Sequence, residues 1–120
     1  MVQGDCLMHI AEHFLDHNLV LKVSGRLNLY SRKIFQAVMK NAESSNTECV
    51  VLDLSEVDYL DSVALGLLVL SQANLSVIGI PMCLVGPQNG VREVLEISNI
   101  GKIIPVYQTI EEAIGSPVAV

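Results

Sequence analysis

Residues 49–68, CVVLDLSEVDYLDSVALGLL, hold the reading that decides the fold. Cys49-Val50-Val51-Leu52-Asp53-Leu54 is short, β-branched and almost wholly apolar, which suits a central strand covered on both faces. The acidic connection Ser55-Glu56-Val57-Asp58-Tyr59-Leu60-Asp61 follows. From Ser62 to about Val77 the chain is uncharged, hydrophobic nearly all round and long enough for about four helical turns. A buried strand that leads into a buried helix puts an α/β layer at the centre of the chain.

Towards the N-terminus, Cys6 to Phe14 and Leu19 to Val23 are apolar runs separated by Leu15-Asp16-His17-Asn18, where Asp and Asn favour a turn, so a β-hairpin is expected. After Ser24-Gly25, Asn28 caps a helix whose inward residues are read as Tyr30, Ile34, Ala37, Val38 and Ala42, ending at Glu43-Ser44-Ser45-Asn46. Towards the C-terminus, Gly79-Ile80-Pro81 closes the apolar helix and Met82-Cys83-Leu84-Val85 reads as a buried strand stopped by Gly86-Pro87. Gln88 to Ile97 is a short helix with Val91, Val94, Leu95 and Ser98 inward and Arg92, Glu93 and Glu96 outward. Ile103 to Tyr107 is a last strand, near an edge because Pro105 cannot donate to a ladder. Thr109 caps a final helix beginning Ile110-Glu111-Glu112-Ala113. A hairpin followed by alternating helix and strand gives a single α/β domain over residues 1–120, with a mixed sheet, a core over about 5–114 and a loose tail at 115–120.

Of the 120 residues 51% are hydrophobic, which excludes a disordered chain. Seven Lys and Arg stand against 13 Asp and Glu, a formal charge of −6, so no general attraction to nucleic acid or anionic lipid is expected. Cys6, Cys49 and Cys83 include no CxxC pair and read as reduced, buried small hydrophobes. The opening MVQGDCLMHI lacks a cationic region before a long apolar core, so a cytoplasmic location is expected. Ser62 to Val91 carries no charged residue, and a membrane span needs about 20 apolar residues. Ser71, Gln72, Asn74 and Ser76 interrupt it and Pro81 and Gly86-Pro87 break it, so a buried helix and strand are preferred to membrane insertion.

Few residues offer chemistry. The glycines around Gly86-Pro87-Gln88-Asn89-Gly90 form neither GxGxxG nor GxxxxGK[ST]. His9, His13 and His17, with Glu12 among them, would align on a helix as metal ligands; on a strand, neighbouring histidines lie about 13 Å apart and cannot share an ion. The hairpin reading therefore assigns no metal. Ser62, a histidine and Asp61 could be drawn as a triad, but the GxSxG elbow is absent. The informative place is Asp61-Ser62-Val63-Ala64-Leu65-Gly66, at the mouth of the apolar helix. Ser62 there is a good N-cap, and that structural role suffices to explain it. The functional alternative is a phosphoacceptor. Phosphate at a helix N-terminus is tolerated by the fold, yet it repels an apolar or acidic partner docked on Val63, Ala64 and Leu67 beside Asp58 and Asp61.

At these residues the chain resembles the STAS domains, and among them the stand-alone bacterial anti-sigma factor antagonists. The resemblance rests on residues 50–55 leading through Val57-Asp58-Tyr59-Leu60 into Asp61-Ser62-Val63-Ala64-Leu65-Gly66-Leu67-Leu68, on the turn Gly25-Arg26-Leu27-Asn28, and on the segment 91–100 before Ile103-Ile104; it spans about residues 19–114. It implies a mixed sheet of about five strands with about four helices packed largely on one side, no enzymatic activity and no cofactor. It also implies that Ser62 is phosphorylated by an anti-sigma factor serine kinase with a histidine-kinase-type ATP-binding fold. The unmodified chain would sequester that kinase and release a sigma factor, a serine phosphatase would reset the switch, and Asp61 would help place the hydroxyl. The implied partner-binding residues are Asp58, Asp61, Ser62, Val63, Ala64, Leu67, Arg26 and Asn28.

The family usually has DSS or DST followed by Gly, where this chain has Val63 and Ala64, and its common turn Gly-Glu-Leu-Asp is Gly25-Arg26-Leu27-Asn28 here. Related STAS domains act without phosphorylation as scaffolds or as subunits of lipid and anion transport complexes, which is the alternative reading. An apolar helix face would serve a homodimer as well as a foreign partner, and one sequence does not separate the two.

Overall fold

The computed structural model describes residues 8–115. Strands β1 (Met8–Leu15) and β2 (Asn18–Leu27) form the expected hairpin, with Asp16 at a φ of 59° in the turn, a conformation that Asp tolerates. The expected start of the first apolar run at Cys6, and the tail beyond Gly115, lie outside the described residues. Then come α1 (Arg32–Glu43), β3 (Cys49–Leu60), α2 (Ser62–Val77), β4 (Met82–Val85), α3 (Asn89–Ile97), β5 (Val106–Tyr107) and α4 (Ile110–Gly115). The five strands lie in chain order; β1 is antiparallel to β2 and the remaining neighbours are parallel. Right-handed crossovers between parallel strands laid down in one direction put their helices on one face. Accordingly α1, α2 and α3 share the main core with Leu19, Leu21, Leu52, Leu54 and Leu84, while α4 covers Val20, Val51, Cys83 and Val85 on the opposite face.

Four sequence expectations are corrected. First, the acidic segment after Leu54 is not a loop: β3 continues to Leu60 beside β2. Two register shifts, between Lys22 and Ser24 and between Gly25 and Arg26, insert extra residues in β3 and break the alternation that marks a strand. Second, Asn28 does cap, accepting from the backbone N–H of Tyr30 at 2.9 Å and Ser31 at 3.3 Å, but what it caps is a 3₁₀ turn (Leu29–Ser31) ahead of α1. That extra turn rotates α1, so Phe35, Met39 and Ala42 are buried and Tyr30, Ile34 and Ala37 are exposed. Third, the last strand is only Val106–Tyr107; residues 103–105 are irregular and follow a 3₁₀ turn at Ile100–Lys102, and Ser98 is exposed. Fourth, Cys83 is buried but Cys49 is only half-buried; both are free thiols and belong to the same cluster under α4. Thr109 caps α4 as expected, its Oγ1 accepting from the Glu112 N–H at 3.1 Å.

Candidate functional site

The C-terminal ends of β2 and β3 converge on the first turn of α2. Parallel pairing sets Arg26 beside Tyr59 and Leu27 beside Leu60, so the next residues, Asn28 and Asp61, end neighbouring strands. Arg26, exposed, lies with its guanidinium 5.5 Å from the centroid of the Tyr59 ring, a cation–π contact that holds the cation at the rim. Asp58 is exposed on the same rim. Lower on the two strands, Lys22 pairs with Glu56 at 3.3 Å.

The residue that caps α2 is Asp61. Its backbone is extended, its Oδ1 accepts from the Ala64 N–H at 3.1 Å, and its carbonyl accepts from the Leu65 N–H at 3.0 Å. This corrects the reading of Ser62 as the cap: Ser62 is the first residue inside the helix. Its side chain is exposed and makes no hydrogen bond among the described residues. The physical reason is the acceptor's reach, since a carboxylate one residue earlier meets the third N–H of the helix more directly. The N–H groups of Ser62 and Val63 have no acceptor within the helix and form, with the dipole, the positive end of α2.

The sequence-derived docking residues divide. Asp58, Ser62 and Arg26 are exposed and Asp61, Val63 and Asn28 are half-buried at the rim, whereas Ala64 at 0% exposure and Leu67 at 6% point into the core. The apolar surface sought there is instead the outward stripe of α2. It carries Gly66, Leu70, Ala73 and Val77 exposed, with Leu70 at 51% and Val77 at 86%. A helix apolar on all sides gives no sequence signal for which side faces out. Gly66 was legible only as part of a motif; a Cβ built there meets no atom within 4 Å, so the fold does not need its glycine.

His9 and His13 both lie on β1, four strand residues apart, and His17 is in the hairpin turn, so the geometry needed for a shared ion is that of a helix these residues do not form. No helix of the described residues is long and apolar enough to cross a membrane.

One mixed sheet with three crossover helices on one face, and a serine at the mouth of the second, describes a small α/β domain. The chain belongs to the STAS domain family, whose pattern matches residues 9–113. A Thermotoga neapolitana protein, provisionally named an anti-sigma factor antagonist, is 31% identical over 97 residues, covering 80% of this chain and 86% of its own. The crystal structure of a Thermotoga maritima protein with the same provisional name superposes with a TM-score of 0.81 at 27% identity, covering 88% of this chain and 92% of that one. The unphosphorylated anti-sigma factor antagonist SpoIIAA superposes with a TM-score of 0.72 over 88% of this chain and 93% of its own; at 19% identity this is a likeness of fold. The phosphorylated form of SpoIIAA, from Bacillus, has a TM-score of 0.67 over 89% of this chain and 97% of its own, again at 19% identity.

Proposed function

We propose that this chain is a phosphorylation-controlled binding switch of the anti-sigma factor antagonist kind, with Ser62 as its phosphoacceptor. The observation that carries the reading is the division of labour at α2: Asp61 does the capping, which leaves the Ser62 hydroxyl exposed and uncommitted. The relatives' names and the fold of SpoIIAA, solved in both phosphorylation states, support the same assignment. In this scheme a partner docks on Arg26, Asn28, Asp58, Asp61 and Val63 and on the exposed stripe through Gly66 and Leu70, while Ala64 and Leu67 shape that surface from beneath.

The partner is an anti-sigma factor serine kinase with a histidine-kinase-type ATP-binding fold, and the chain itself is not an enzyme. Ser62 Oγ attacks the γ-phosphorus of the kinase-bound ATP, ADP leaves, and the hydroxyl proton passes to a base on the kinase. The product phosphate adds about −1.5 to −2 charges beside Asp58 and Asp61. Within the chain the free N–H groups and helix dipole offset that charge; against an apolar or acidic partner nothing does, so the complex dissociates. A serine phosphatase restores binding.

Capture from the source cell's lysate with wild type and Ser62→Glu as baits tests this. Wild type is expected to retain a kinase of that fold and, on adding ATP, to gain phosphate on Ser62 alone; the glutamate variant is expected to lose the kinase. Identical retained sets with an unmodified Ser62 would overturn the proposal, and transport subunits in both sets would favour a constitutive scaffold instead.

A further inference from the structure

Away from Ser62, α3, the 3₁₀ turn at Ile100–Lys102 and the edge strand β5 line an open, solvent-facing cavity of about 450 Å³, within the range of small-molecule sites. Its wall includes Leu95, Val106 and Tyr107, which give it an apolar side. Two of the chain's seven basic residues, Arg92 and Lys102, also line it, and together they outnumber the single carboxylate there, Glu96. Among the described residues the sole ion pair is Lys22 with Glu56, so neither cation is neutralised by a carboxylate. Arg92 is half-buried, and its guanidinium donates to the carbonyl of Pro87, also a lining residue, at 3.4 Å, which leaves its other N–H donors without a protein partner among the described residues. In a chain of formal charge −6, this local excess of cations runs against the overall balance of charge.

We infer that this cavity is a binding site for a small organic anion, with the anionic group on Arg92 and Lys102 and the apolar body against Leu95, Val106 and Tyr107. A planar guanidinium with free donors recognises carboxylate and phosphate alike, so both are members of the class. None of the residues of the β2–β3 rim lines this cavity, and the inference stands or falls separately from the role of Ser62.

The test is a titration of the full chain followed through its backbone amide resonances, with phenyl phosphate, phenylacetate, benzyl alcohol and inorganic phosphate as probes. At least one aromatic anion is expected to give saturable shifts at Leu95, Lys102, Val106 and Tyr107 in the millimolar range or below, and which one does so separates a phosphate site from a carboxylate site. Benzyl alcohol lacks the charge and inorganic phosphate the apolar body, so each is expected to bind about tenfold more weakly or not at all. Lys102→Gln, at an exposed position, and Arg92→Gln, at a half-buried one, are expected to weaken the anion about tenfold each while leaving resonances at Ser62 unmoved. Failure of both aromatic anions to saturate, equal binding of benzyl alcohol, or wild-type affinity in the double variant would each overturn the assignment.

Discussion

Asp61 Oδ1 accepts the Ala64 N–H at 3.1 Å, and this one bond separates the structural residue at the mouth of α2 from the chemical one beside it. Loss of a side-chain cap costs about 1 kcal/mol, which in a domain of this size lowers the melting temperature by about 4 °C. Asp61→Ala is therefore expected to melt about that much lower, whereas Ser62→Ala, which removes an exposed hydroxyl without a partner, is expected to melt within about 1 °C of wild type. Thermal unfolding of the two variants side by side checks the assignment; a large loss from Ser62→Ala would return the capping role to the serine.

Two glycines are expected to respond with opposite signs. Gly66 lies inside α2, where glycine is less favourable than alanine by roughly 0.5–1 kcal/mol, and a Cβ there meets nothing within 4 Å. Gly66→Ala is thus expected to raise stability by that amount in urea titrations while weakening a partner that approaches the helix closely. Gly86 has a φ of +64°, and its added Cβ would stand 3.3 Å from Ser55 Cβ and 3.4 Å from the Gln108 carbonyl oxygen. Gly86→Ala is expected to destabilise by about 1–3 kcal/mol.

The two faces of α2 give a third comparison. Leu68 is wholly buried, and its truncation to alanine is expected to cost about 2–5 kcal/mol. Leu70, 51% exposed, is expected to cost within about 0.5 kcal/mol on truncation, with its effect appearing in partner affinity instead. Equal losses at both positions would mean that the stripe through Gly66 and Leu70 is covered in the free protein.

What was legible in the sequence was legible for physical reasons. Uninterrupted apolar runs such as Val50-Val51-Leu52 and Met82-Cys83-Leu84-Val85 mark strands buried on both faces, and the Asp16 turn and the caps at Asn28 and Thr109 are local chemistry. The rest depended on partners distant in the chain. Ser55 to Leu60 reads as a loop because bulges spoil its alternation, and only β2 alongside makes it a strand. The rotation of α1 goes with the 3₁₀ turn before it, which moves the start of the helix from Leu29 to Arg32. In α2, apolar on every side, Leu67 and Leu70 are chemically alike and only the packing against the sheet separates them. The cavity beside β5 left no motif, because Arg92, Lys102 and Tyr107 are brought together by the fold alone.

The last prediction concerns the thiols, where adjacent strands place Cys49 and Cys83 in one cluster beneath α4, Cys83 being paired with Val51, two residues along β3 from Cys49. The hydrogen bond from Cys83 lowers the pKa of Cys49 below the ordinary thiol value, against the opposing effect of its partial burial. The same bond, together with burial and the charge on Cys49, pushes Cys83 far above it. Because the thiolate is the reactive form, iodoacetamide is expected to modify Cys49 in the folded chain and spare Cys83, as mass spectrometry of the digested protein would show. The pH dependence of stability follows with two signs. Between the depressed pKa of Cys49 and the unfolded thiol value the unfolded chain holds more protons, so stability rises with pH. Above the unfolded value the unfolded chain loses the Cys83 proton that the folded chain keeps, so stability falls. Urea midpoints measured from neutrality to about pH 10 are therefore expected to pass through a maximum near the ordinary thiol pKa, and Cys83→Ser, which removes the falling limb, is expected to flatten its alkaline side. Equal alkylation of both cysteines in the native chain would show that the thiols do not share a proton.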